Sequence, residues 1–281
     1  MLWPVKAAGS GSNLCGVEGV ISLIIPMYNP GLAAEQCFHR VRDFLRFRRE
    51  TWEVVFVSDG STDSSVATLR RLCQVHDEKR FQVIEYTPNR GKGFAVKTGM
   101  LAARGKYRLF TDIDLFFLHT LGKAADALKD GAAMVIASRT HTHSEFAAPF
   151  TLIHYLYRRK LQSMIFSRVV RTLLPIPQRD TQAGLKGMSA EVAERLLPHT
   201  QIQGFSFDCE WLMAATKMHI PVVEIPVCVR YENAASTIRM TTGLRMLREL
   251  WQIRQAWSRS IPEPQGLHSP PAMPTRWSRA A

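Results

Sequence analysis

The chain has 281 residues, 46% of them hydrophobic and 21% charged, which excludes a disordered or fibrous protein and leaves one large domain or two small ones. Lysine plus arginine number 36 against 24 acidic residues, a formal charge of +12 that points to a nucleic acid, an anionic membrane or a phosphorylated ligand as partner. No run of about 18 apolar residues marks a membrane-spanning helix, residues 1–19 lack the pattern of a secretory signal, and the five cysteines show no CxxC spacing, so a cytoplasmic chain with reduced thiols is expected.

Residues 1–18 read as a flexible, Gly/Ser-rich lead. The apolar, β-branched run Val20–Ile25 predicts a buried strand that stops at Pro26, and Leu32–Arg48 a helix. Glu53–Val57 is a second strand; it runs into Ser58-Asp59-Gly60-Ser61-Thr62-Asp63, after which Val66, Leu69 and Leu72 recur at helical spacing. Strands at Phe81–Tyr86, Tyr107–Thr111 and Ala133–Ala137 then alternate with helices at Gly93–Ala103 and Leu121–Lys129. This alternation predicts an α/β fold, a Rossmann-like, mostly parallel sheet with helices on both faces.

Beyond about residue 145 the pattern changes. Residues 150–174 are basic, aromatic and apolar, and Pro175–Thr181 is a loop. Strands are expected at Gly184–Met188 and Val222–Arg230, with helices at 190–197 and 208–218. Residues 240–259 read as a basic amphipathic helix, and 260–281, with five prolines, as a disordered tail. The body of the fold is therefore placed at 19–239.

Ligands of an open parallel sheet bind at the carboxyl ends of its strands. Four polar clusters fall at such ends: Pro26-Met27-Tyr28-Asn29, Asp59-Gly60-Ser61, Asp112-Ile113-Asp114 and Ser138-Arg139. Each alone is equally the chemistry of a turn or helix cap; four at one edge point to a site. If the chain stays extended at Asp112-Ile113-Asp114, the period of two puts both carboxylates on one face. Such a pair repels unless a cation joins it, and Mg²⁺ or Mn²⁺ holding a diphosphate would do so.

These segments, with Asn89 to Met100, Arg179 to Lys186 and Phe207-Asp208-Cys209-Glu210, resemble inverting nucleotide-sugar glycosyltransferases of the GT-A fold, in the branch of dolichyl-phosphate glucosyltransferases and mannosyltransferases. The resemblance runs from about Val20 to Arg239, making 19–239 a GT-A domain. It implies that Pro26, Tyr28 and Asn29 line the nucleotide pocket and that Asp59 accepts from a ring N–H of the base, since a carboxylate offers only acceptors. Lys92 would lie near the nucleotide, and Asp112 would face the ribose or sugar. Asp112 and Asp114 would hold Mg²⁺ or Mn²⁺. Gln182 and Gly184 would belong to a loop that closes the donor pocket, shaped by Asp180. Arg139, Arg159 and Arg239 would meet the donor or acceptor phosphate. Asp208 is the candidate base for a hydroxyl acceptor, with Glu210 second; a phosphate acceptor needs no base.

The resemblance favours UDP-glucose over GDP-mannose as donor, because of the Asp180-Thr181-Gln182 loop, and a polyprenyl phosphate over a hydroxyl as acceptor. Nucleic acid is not the expected partner. Ser58 stands where the family often has an acid. Leu115-Phe116-Phe117, after the metal motif, suggests an apolar path for a lipid chain. Ala235-Ser236-Thr237 replaces a Gly-Ser-Lys or Gly-Ser-Arg, leaving Arg239 to supply the cation. The basic helices at 150–174 and 241–258 suggest peripheral contact with an anionic membrane. A nucleotidyltransferase and a non-enzymatic basic membrane or nucleic-acid binder are the rival readings.

Overall fold

The computed structural model describes residues 17–147, 149, 153–230 and 240–258. Of the lead expected at 1–18, residues 1–16 lie outside the described residues, as do the tail at 260–281 and Arg239, whereas residues 17 and 18 already belong to the first strand. In chain order the elements are β1 (Val17–Met27), α1 (Leu32–Arg46), β2 (Thr51–Asp59), α2 (Ser65–Val75), β3 (Phe81–Tyr86), α3 (Lys92–Ala102), β4 (Gly105–Thr111), α4 (Leu121–Lys129) and β5 (Met134–Ser138). There follow β6 (Glu145–Ala147), α5 (Ile153–Leu173), β7 (Leu185–Ser189), α6 (Ala190–Leu196), α7 (Phe207–Lys217), β8 (Val222–Pro226), β9 (Cys228–Arg230) and α8 (Met240–Ser258).

Seven strands form one sheet in the order β3-β2-β1-β4-β7-β5-β8. Its core is apolar on both faces because successive strand residues point to opposite sides. Ile21, Leu23 and Ile25 meet the helical stripe Ala34, Cys37, Phe38, Val41 and Leu45 of α1, together with α2 and α4. Ile24, Val55 and Val57 meet α3, and the same face carries α6, α7 and residues of α5 and α8.

Six strands run parallel, and β7 alone is antiparallel, pairing Leu185 with Thr111 of β4 and Lys186 with Ile136 of β5. This reversal positions the site. The loop before β7 arrives at the same edge where β1, β2, β4 and β5 end, so residues 178–184 join the four strand-end clusters.

Two boundaries differ from the sequence reading. β1 runs through Pro26 to Met27, because its pairing with β4 has already ended at Ile24–Phe110 and that side needs no further N–H. The strand expected at Val222–Arg230 is two: β8 joins the main sheet, whereas β9 pairs with β6 in a separate two-stranded sheet. Between them, Val227 leaves the ladder and bonds Ser144 Oγ through its N–H and the Glu145 N–H through its carbonyl.

Candidate active site at the sheet edge

On the β1–β2 side the loops are stitched by polar side chains. Asn29 Oδ1 accepts from the N–H groups of Thr62 (2.7 Å) and Asp63 (3.3 Å), and Ser61 Oγ accepts from Asn29 N (3.0 Å). Asp63 accepts from Gly31 N and from Ser65 N and Oγ, which starts α2. Asn29, an expected nucleotide contact, thus has its amide oxygen committed to the neighbouring loop. Pro26 is buried, while Tyr28 stands 56% exposed at the lip.

Asp59 is buried. Its Oδ1 accepts from Tyr86 Oη (2.9 Å) and Arg90 N (2.8 Å), and its Oδ2 from Gly91 N (2.8 Å). A carboxylate has about four lone-pair sites, so three internal donors leave room for about one more. Burial and Asp59 together push the Tyr86 phenol up.

The glycine turn that opens α3 is also closed to outside acceptors at its first amides. Gly93 N donates to Gly204 O and Phe94 N to Gln203 O. Gly91 has a φ of 106°, and a Cβ at Gly91 or Gly93 would strike the backbone of residues 202–204. These glycines serve a close approach of two backbones. Lys92 remains as the cation of the turn, its Nζ 2.6 Å from Asp112 Oδ1. Burial disfavours its charge, but the carboxylates of Asp112, Asp208 and Asp114 outweigh this and raise its pKa.

Asp112 packs against Gly184, where any Cβ would collide with its carboxylate, and its N–H donates to Gly184 O. Asp208, second residue of α7, is 4% exposed. Its Oδ1 lies 3.0 Å from Nζ of Lys186, a lysine of 0% exposure that also donates to Ala183 O (2.9 Å). That ion pair is close but poorly aligned, leaving Asp208 Oδ1 buried without a hydrogen bond. Burial pushes the Asp208 carboxyl above the usual carboxylate range, against the pull of Lys186 and Lys92. The result is a cluster of three carboxylates, Asp114, Asp112 and Asp208, with two ammonium groups, Lys92 and Lys186.

Arg139 meets Asp180 in a two-pronged pair, Nε to Oδ2 and an Nη to Oδ1, both at 2.8 Å, and its N–H adds a third bond. Burial raises the Asp180 pKa, but the bonds and charge of Arg139 outweigh it and hold the carboxyl below its ordinary range. The pair ties the end of β5 to the loop that carries Gln182, itself half-buried, and Gly184.

Several expectations are corrected. The strand ends at Thr111 and a turn follows, with Leu115 N bonded to Asp112 O and Leu115 at a φ of 54°, so strand period does not relate Asp112 to Asp114. Asp114 is exposed; its Oδ1 accepts from Phe116 N (3.4 Å) and its backbone oxygen from Arg40. Leu115 and Phe117 are buried in the core and Phe116 packs against it, so they line no lipid path. Glu210 is not a base candidate: its carboxylate accepts from Gln201 N, Ile202 N and Trp257 Nε1. Of Arg159 only the backbone, in α5, is described.

Lys186 closes the segment from Arg179 to Lys186, and the sequence alone assigns it no task. A lysine in a short strand between two buried ones was the available signal, since an ammonium enters a core only with a partner. Among the described residues no three His, Cys, Asp or Glu side chains form a metal cage, and no helix is long and apolar enough to cross a membrane.

A family model described as glycosyl transferase family 2 matches residues 22–197. Among curated proteins, the dolichyl-phosphate beta-glucosyltransferase of Saccharomyces cerevisiae is 27% identical over 260 residues, covering 85% of this chain and 75% of its own. That of Drosophila melanogaster is 29% identical over 245 residues, covering 83% and 74%. Among solved structures, glucosyl-3-phosphoglycerate synthase from Mycobacterium tuberculosis in complex with UDP matches with a TM-score of 0.60 at 17% identity, over 88% of this chain and 82% of that one. A mannosyltransferase from Pyrobaculum calidifontis in complex with GDP-Man and Mn²⁺ gives 0.54 at 22% identity, over 87% and 65%.

Proposed function

The chain belongs to glycosyl transferase family 2, and from that premise we propose that it transfers glucose from UDP-glucose to a polyprenyl phosphate of the dolichyl type, with inversion at the anomeric carbon. It is a glycosyltransferase of the GT-A fold. The donor sugar and acceptor follow the names of its relatives. The observation that carries the reading is the convergence of Lys92, Asp112, Gly184 and Asp208, remote in sequence, on one cluster at the sheet edge.

In this reading Tyr28 lines the base at the lip, and Asp59 holds the turn that carries Lys92 while offering its remaining acceptor site to the base. The Lys92 ammonium faces the donor diphosphate and shares its charge with Asp112. Arg139 acts on phosphate through the loop it fixes with Asp180, which places Gln182 and Gly184 against the donor.

A divalent cation fits this edge. Asp112 and Asp114 offer hard oxygen ligands, and Mg²⁺ or Mn²⁺ bound by one or two carboxylates keeps its other positions for water and phosphate. Thr111 Oγ1 is buried without a hydrogen-bond partner, and Asp208 Oδ1 has only the poorly aligned ammonium of Lys186, states that a ligand or water would relieve. Bound there, the cation would stabilise the charge of the departing diphosphate.

A phosphate acceptor is already anionic and needs no general base. Asp208, enclosed beside Lys186, then serves as counter-charge to the two lysines. The raised pKa of Asp208 favours a second reading, in which it takes a proton from an acceptor hydroxyl. A peripheral position on an anionic membrane is supported by α8, which exposes Leu244, Leu247 and Trp251 beside Arg248, and by Met164 and Ile165 near Arg168 on α5. Thermal melting with UDP, Mn²⁺ and both together tests the donor site. The pair should raise the melting temperature more than either alone, and Asp114→Asn should remove the excess. Equal stabilisation by UDP in a chelator would sink the cation role of Asp114.

A further inference from the structure

We propose that Glu249, on the C-terminal helix α8, is a positioning residue for the reaction: it holds the loop at 203–206, which braces the turn bearing Lys92 on one side and leads into Asp208 on the other. The proposal rests on the function argued above. Helix α8 lies wholly beyond the residues matched by the family model, which end at 197.

Glu249 is 6% exposed. Its Oε2 accepts from Ser206 N (2.9 Å), and its Oε1 from Arg245 Nε (3.3 Å). Ser206 is the residue just before α7, and its Oγ donates to Met246 O on α8 (3.3 Å). The carboxylate presses on Gly204, where a Cβ would overlap it. A negative group there satisfies an orphan amide and complements the positive end of α7.

The other side of the same loop meets the glycine turn. Gly204 O accepts from Gly93 N and Gln203 O from Phe94 N, both at 3.2 Å. Two residues beyond Ser206 stands Asp208, and just before Gly93 stands Lys92. The Lys92 ammonium is 6.0 Å from the centre of the Phe207 ring. Four residues, 203–206, therefore fix the spacing of a cation and a carboxylate whose charges act on each other. Glu249 is the side chain of α8 that grips those four residues by hydrogen bond, beside the Met246 carbonyl, while Leu250, Ile253 and Trp257 anchor the helix in the core.

The test compares Glu249→Ala, Glu249→Gln and Leu250→Ala in the full chain. Glu249→Ala should lower kcat on the order of tenfold or more, because small displacements of reacting groups cost that much, and should speed amide exchange across residues 203–210. Glu249→Gln keeps an acceptor oxygen for Ser206 N and should recover most of kcat. Leu250→Ala should lower the melting temperature with kcat retained where the protein is folded. Wild-type kcat and unchanged exchange in folded Glu249→Ala would overturn the proposal, as would activity losses in all three variants that track stability alone. If the unmutated enzyme transfers no sugar, the functional reading fails instead, and the exchange measurement still decides whether Glu249 holds the loop.

Discussion

Asp59 and Asp208 are both buried aspartates at the same sheet edge, and they are satisfied in opposite ways. Asp59 accepts from two backbone amides and a phenol, all well placed, so its carboxylate is a clamp for the glycine turn. Asp208 has a buried ammonium at 3.0 Å, poor alignment and an oxygen without a hydrogen bond. Directed bonds fix geometry, whereas an imperfectly satisfied charge stays responsive to what binds beside it. The difference separates the half of the edge that holds its shape from the half where charge is handled.

The largest expected effect breaks the charged half. Lys186→Met leaves Asp208 buried without its ammonium, and removing one partner of a buried pair costs on the order of 3–5 kcal/mol. Urea unfolding should show that loss, and Lys186→Met with Asp208→Asn together should recover part of it. Additive losses would mean that the two side chains act independently.

A smaller effect separates Asp180, which has a matched cation, from Asp208. Its folded pKa is depressed, so the Arg139 tie stabilises the fold above the ordinary aspartate value of about 3.9 and is lost as pH falls through the folded value. Arg139→Gln should remove roughly 2 kcal/mol at neutral pH, with the difference from wild type closing at the acid end. Asp208 has the opposite sign: its raised pKa means that falling pH relieves a cost of burial. A gap that stayed constant down to strong acid would show that Asp180 is not the titrating partner.

Asp59→Asn sharpens the other member of the comparison. The amide keeps one acceptor but turns a donor toward existing donors, at a cost of about 1–2 kcal/mol. Calorimetry should show weaker UDP binding through the loosened turn. Unchanged affinity with a loosened turn would take Asp59 and its turn out of the donor site.

The fold was largely legible because strands and helices alternate with distinct apolar periods through Lys129. The antiparallel sense of β7 was not, since a five-residue strand carries no mark of direction. The same holds for Val227, whose exit from the ladder depends on Ser144, remote in sequence. In the site, Asp112 and Lys92 were readable as motif residues, but their contact was not. Asn29 and Glu210 read as ligand or base because their partners, Thr62 and the amides of residues 201–202, appear only once the loops meet. Glu249 had no signal at all: an i,i+4 acid beside Arg245 looks like an ordinary surface pair.

The smallest expected effect lies away from the edge. Trp251→Ser on the exposed face of α8 should reduce sedimentation with anionic vesicles several-fold while leaving the melting temperature near wild type, because this side chain is 53% exposed. Loss of stability without loss of vesicle binding would return that face to the folded core.

The most direct measurement incubates the full chain with radiolabelled UDP-glucose, Mn²⁺ and either dolichyl phosphate or dolichol. Label should pass into the organic phase with the phosphate alone, and Asp208→Asn should retain much of that turnover while Asp114→Asn loses it. Transfer to dolichol or a soluble hydroxyl instead, falling on the order of 10²-fold or more in Asp208→Asn, would contradict the phosphate reading and make Asp208 the base.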